Sequence, residues 1–185
     1  KITVLDHLKK CKNKFKVFVK IVDLLIKLQK VKTRKIKNFN NKLYNVPIYR
    51  NKLLFNEAKL FCDWYVPENI KKNRIKINKK LKVEIKNLLN NLKLKNNIIV
   101  HRDFHVSNLM LYKKKLSIID SQDAVVGNEA YDLASLVDDV RYKTSNSFKS
   151  KIYNYYLKKN KKILNKNSFS NDFEILSVVR NLKII

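Results

Sequence analysis

The sequence predicts an α+β fold that is mainly helical, with one small β-hairpin at its centre. Three observations carry this. Apolar residues recur at helical spacing through most of residues 15–94 and again through residues 130–182. Between them, residues 98–119 hold short apolar runs too brief for helices. No internal repeat or low-complexity linker divides the chain, whose 185 residues suit one domain with a sizeable core.

Taken in order, Phe15, Phe18, Val22 and Leu25 form the apolar stripe of a first amphipathic helix, with Lys16, Lys20 and Lys27 on another face. Residues 31–47 lack periodicity and end near Pro47, so a connecting loop is expected there. A second helix over about residues 50–66 places Leu54, Ala58, Phe61 and Tyr65 on one side and is expected to stop before Pro67. Asn78 is a candidate cap for a third, running to about Leu94. Residues 98–100, Ile-Ile-Val, suit a buried strand; residues 108–119 read as a tight hairpin turning at Lys113, Lys114 and Lys115. Past the single glycine, Gly127, a helix buries Ala130, Leu133, Ala134, Val137 and Val140. Tyr153, Tyr156 and Leu157 mark the next helix, and Phe173, Leu176, Val179 and Leu182 the last.

The formal charge is +27 and the pI about 10.1, which ordinarily points to a nucleic-acid or membrane-surface partner. Here the excess is nearly all lysine, scattered along every segment, with abundant Asn and Ile. Arginine, the better residue for bidentate phosphate and guanine contacts, is scarce. Residues 101–139 reverse the trend, with seven acids against four bases, a local charge of −3 that leaves +30 on the remainder. An acidic patch in so basic a chain suits a divalent cation rather than a phosphate backbone. Nucleic acid is therefore not the expected partner; a basic nucleic-acid-binding module is kept as the rival. Cys11 and Cys62 have no histidine at metal-ligand spacing and are read as reduced thiols. Uncharged runs such as residues 43–49 fall far short of the roughly 20 residues of a membrane span, and a cytoplasmic location is expected.

Chemistry concentrates at His101-Arg102-Asp103-Phe104-His105-Val106-Ser107-Asn108, followed twelve residues after Asn108 by Asp120. A strand before this loop, a hairpin after it and an aspartate where the hairpin ends is the arrangement phosphoryl transfer needs. One carboxylate, Asp103, serves the acceptor hydroxyl, while the Asn108 amide oxygen and the Asp120 carboxylate hold Mg2+ against the phosphates of ATP. Gln122 and Asp123 follow in the chain as candidates for metal-shell or substrate contacts, or as loop groups bonded to backbone. His105 either meets substrate or packs. Trp64 and Tyr65 wall a substrate pocket or, as helical aromatic pairs more often do, join the core.

The stretches HRDFHVSNLM, IIDSQDA and AYDLASLVDDVR resemble, in that order, the catalytic region of the aminoglycoside phosphotransferase and choline kinase-like superfamily. Within it the likeness is to the bacterial anomeric N-acetylmuramate/N-acetylglucosamine kinases, to which NEAKLFCDWYV and the final RNLKII are also similar. The resemblance implies a protein-kinase-like fold of which residues 1–185 form the C-terminal lobe as a single domain, with the catalytic loop carried by the hairpin. It also implies Asp103 as catalytic base, Asn108 and Asp120 as magnesium ligands, His101 as a brace and Asp132 as an anchor for the loop backbone. From the residues alone, Asp132 is equally an exposed helix acid. The expected activity is ATP-dependent transfer to a sugar or amino-alcohol hydroxyl, most specifically the anomeric hydroxyl of an N-acetyl amino sugar. Ser121 stands where the family tends to have an aromatic, and no glycine precedes Gly127 to form a phosphate loop. With no initial methionine and an end inside a helix, the chain is expected to be a piece of a longer kinase without its nucleotide-binding lobe, and an inactive fragment is the second alternative.

Overall fold

The computed structural model describes residues 2–32, 34–37, 39–160 and 165–184. Helices α1 (Val4–Lys10) and α2 (Lys14–Gln29) follow a two-residue strand β1 (Ile2–Thr3), and both helices are capped by side chains, Thr3 accepting from the Asp6 amide and Asn13 from the Lys16 amide. The predicted stripe of α2 is buried at Phe18, Val22 and Leu25, joined by Ile21; Phe15 is half-buried.

Residues 31–47 are not simply a loop. They include an antiparallel pair, β2 (Lys35–Lys37) and β3 (Leu43–Asn45), whose six residues are all exposed. A ribbon with no buried face leaves no alternation in the sequence, so the periodicity argument has nothing to detect.

Helix α3 (Asn51–Leu60) runs through a π-helical turn, Phe61–Tyr65, into α4 (Val66–Asn69). The expected stop before Pro67 does not occur, for a definite reason. In the π register the Val66 amide bonds the Phe61 carbonyl, and the next carbonyl, of Cys62, would need a donor from residue 67, which proline lacks. The Asn78 side-chain amide donates to Cys62 O instead. Asn78 is therefore not a cap: it lies inside α5 (Arg74–Asn90), which begins after Asn73 and ends short of Leu94.

Strand β4 (Ile98–Val100) pairs antiparallel with β7 (Val125–Gly127). Tyr49 and Pro47 extend that pair on the far side of β7, the Tyr49 amide donating to Val126 O and the Val126 amide to Pro47 O, both at 2.8 Å. Strands β5 (Leu109–Tyr112) and β6 (Lys115–Ile118) form the predicted hairpin, and β1 joins the outer edge of β5. The turn is two residues rather than three, Tyr112 pairing with Lys115 around Lys113 and Lys114 at φ 45° and 64°. Those are the angles of a type I′ turn.

Three helices complete the fold: α6 (Tyr131–Val137), α7 (Asn146–Lys159) and α8 (Lys166–Ile184). Every residue of α6 is buried, but Val140 lies beyond its end and is exposed, against expectation. Asp172 of α8, itself fully buried, accepts from the Lys93 and Leu94 amides at 2.8 Å each and from Asn128 at 2.7 Å. One carboxylate thus ties α8 to the segment entering β4 and to the turn between β7 and α6.

Candidate active site

The loop after β4 is fixed by an alternation in its own sequence. Phe104, Val106 and Leu109 are fully buried, whereas Asn108 between them turns its side chain to hydrogen bonding. Asp132, at the first turn of α6 and fully buried, accepts from the His101 amide at 2.7 Å and the Arg102 amide at 3.1 Å. Of the two alternatives left by the sequence, an exposed helix acid is excluded. Burial pushes the Asp132 carboxyl up to about 7, against the downward pull of those two amides.

The Asn108 side-chain amide donates to the Asp103 carbonyl at 3.1 Å, and the His105 amide donates to the same oxygen at 3.0 Å. A 3₁₀ turn, Val106–Asn108, brings Asn108 back toward Asp103. The Asn108 carbonyl in turn accepts from the Ile119 amide at 3.0 Å, and His101 Nε2 donates to the Ile119 carbonyl, also at 3.0 Å. Both bonds fix the residue that immediately precedes Asp120. The loop carrying Asp103 and the hairpin end carrying Asp120 are therefore stitched through Asn108 and His101.

Two residues here hold left-handed backbone that L side chains enter at a cost of about 1–2 kcal/mol, Arg102 at φ 74° and Asp120 at φ 64°. They stand on either side of the Asp103 and Asn108 pair. The Gln122 side chain donates to Asp120 Oδ1. Asn108 Oδ1 and the Asp120 carboxylate supply hard oxygen donors of the kind a divalent cation takes. Among the described residues no group of three or more His, Cys, Asp or Glu side chains is placed to hold a metal.

A second layer of charge was not foreseen from the sequence. Glu57, the lone carboxylate of α3, accepts from Arg102 Nη2 at Oε1 and from the Tyr49 hydroxyl at Oε2, at 2.6 Å each, and Lys183 Nζ of α8 lies 3.2 Å from Oε2. Lys183 also approaches Asp103 Oδ1 at 3.8 Å. The Arg102 guanidinium covers the Tyr49 ring, 5.2 Å from its centroid. Asp123 is the least engaged candidate: exposed, it meets Arg102 Nη1 at 4.0 Å, and its carbonyl accepts from the same atom at 3.4 Å. His105 is buried, and burial followed by the nearby Arg141 charge lowers its pKa. Trp64 and Tyr65, for which core packing was the more expected role, are 71% and 39% exposed.

The chain belongs to the phosphotransferase enzyme family, whose pattern it matches over residues 3–162. This family is protein-kinase-like, in keeping with the mainly helical α+β architecture described above. Within that class the chain is similar to the N-acetylmuramate/N-acetylglucosamine kinase of Neisseria meningitidis serogroup B, at 34% identity over 95 residues, 51% of this chain and 28% of that protein. The enzyme of the same name from Pseudomonas putida is 33% identical over 95 residues, with the same coverage, 51% and 28%. That from Pseudomonas aeruginosa is 29% identical over 131 residues, 69% of this chain and 35% of the relative. The match thus spans about a third of the length of these curated relatives.

Proposed function

We propose that the protein carrying this chain transfers the terminal phosphoryl group of ATP to a hydroxyl of a small N-acetylated amino sugar, the anomeric hydroxyl in particular. The observation that carries the reading is the stitching of Asp103, Asn108 and the Ile119-Asp120 step into one hydrogen-bonded unit held from beneath by Asp132. Membership of the phosphotransferase family and the names of the relatives support it.

In this reading Asp103 orients the acceptor hydroxyl and accepts its proton as the acceptor oxygen bonds to the terminal phosphorus. The bond from that phosphorus to the bridging oxygen breaks, and ADP leaves with the electron pair. Asn108 and Asp120 would hold Mg2+, which would supply neutralising charge at the phosphates. His101 keeps Asp120 at its distance from the loop, and Asp132 holds the two amides before Asp103. In the same reading Gln122 positions the Asp120 carboxylate, exposed Asp123 is the candidate for substrate contact, and buried His105 packs. A cytoplasmic setting, where ATP is available, is part of the proposal, and the free thiols Cys11 and Cys62 are compatible with it. No helix among the described residues is long and apolar enough to cross a membrane.

The test is phosphorus NMR of the products formed by the whole protein from ATP and N-acetylglucosamine or N-acetylmuramate. A sugar 1-phosphate resonance is expected. Transfer to the 6-hydroxyl alone contradicts the anomeric assignment, and no transfer to either sugar contradicts the acceptor class.

A further inference from the structure

A cleft of about 410 Å³ lies between the π-helical turn and the C-terminal end of α8, bordered by Phe61, Trp64, Tyr65, Glu68, Asn69 and Lys183. We propose that this cleft is the acceptor subsite, seating the ring of the amino sugar on Trp64 as a stacking platform. The inference rests on the phosphotransferase reading and deepens it by naming where the acceptor sits.

Four observations converge. The π turn adds one residue to a helical turn, a device found mostly at functional positions, and here it falls where α3 would otherwise continue regularly. Two of its aromatics are displayed, Trp64 at 71% and Tyr65 at 39% exposed, while Phe61 packs against the core and stacks on Tyr65 at 4.8 Å between centroids with planes 16° apart. A pyranose has one apolar face of C–H bonds, which suits an exposed indole, and hydroxyls at its rim. The polar edge of the cleft, Glu68 and Asn69, offers acceptors for those hydroxyls. Finally, Lys183 belongs to both places, lining the cleft and lying 3.8 Å from Asp103 Oδ1, so a ligand in the cleft is one side chain away from the carboxylate. The volume is that of a small-ligand site, at the lower end of the roughly 300–1,000 Å³ such sites span.

Trp64 lies outside the core described above, so its removal opens no cavity there. Binding of N-acetylglucosamine is measured by calorimetry in the absence of ATP, for the whole protein and for its Trp64→Ala and Trp64→Phe variants, with thermal melts to show that each folds. Trp64→Ala is expected to weaken sugar binding about tenfold, the size of a lost aromatic contact, and Trp64→Phe to restore it to within about threefold. Absence of sugar binding by the unmodified protein, or a Trp64→Ala affinity within twofold of it, overturns the proposal. The failures are separable. Sugar phosphorylation that Trp64→Ala leaves untouched removes the cleft and keeps the kinase; Trp64-dependent binding without phosphorylation keeps the cleft and removes the kinase.

Discussion

Asp132 sits where a carboxylate is most costly and most useful, with no exposed surface and both oxygens on loop amides. Its pKa, raised from 3.8 to about 7, means the folded protein holds that proton more tightly than the unfolded chain. The resulting stability is fully present below the ordinary carboxylate value and is lost as pH rises through about 7. Replacing Asp132 by Asn removes this dependence. Denaturant unfolding of both forms at several pH values should show the advantage of the native residue over Asp132→Asn shrinking by more than about 1 kcal/mol between pH 4.5 and 8; parallel curves would contradict the burial argument. At this scale spacing singled out Asp103, Asn108 and Asp120 as candidates, and the bonds from Asn108 to the Asp103 and Ile119 backbone are short-range geometry turning spacing into proximity. Glu57 and Lys183 were not legible. They lie 45 residues and more from the loop they serve, on helices whose docking only the tertiary fold determines.

Among the elements, the hairpin tests how local chemistry sets a turn. Lys113 and Lys114 occupy the two left-handed positions of its type I′ turn, where Asn and Gly are preferred. Lys113→Asn with Lys114→Gly should raise unfolding stability by about 1 kcal/mol, read by chemical denaturation, and a loss would show that the turn is not of this type. Gly127 tests packing. A Cβ there would stand 2.9 Å from Val100 Cγ2, a stiff β-branched side chain one residue before His101. Gly127→Ala is expected to lower stability by about 1–3 kcal/mol in the same assay, and a neutral result would show that β4 and β7 yield more easily than this. Amphipathic helices were readable because each has one buried stripe. The exposed β2 and β3 ribbon has no such contrast, and the helix runs through Pro67 with Asn78 of the next helix supplying the donor that proline lacks.

For the whole molecule, assembly depends on a few buried polar knots as well as on the apolar core. Asp172 gathers three donors from two separate parts of the chain, so Asp172→Ala leaves two amides and a carboxamide unmet. A loss of about 3 kcal/mol is expected from thermal unfolding, and a change below about 1 kcal/mol would mean that water replaces the carboxylate. The +27 charge belongs to this scale too, as a property of a lysine-rich surface rather than of the site. The mainly helical α+β class was readable from periodicity. The convergence of α3, the loop after β4 and α8 on one carboxylate was not, since no local pattern encodes it.

Asp103 is the residue on which the proposed chemistry turns. Steady-state kinetics of Asp103→Asn in the whole protein, with the affinity for a non-hydrolysable ATP analogue measured in parallel, tests it most directly. A fall in kcat of about 10² to 10⁴ with analogue affinity unchanged is expected. Turnover within a few-fold of the unmodified enzyme would contradict it.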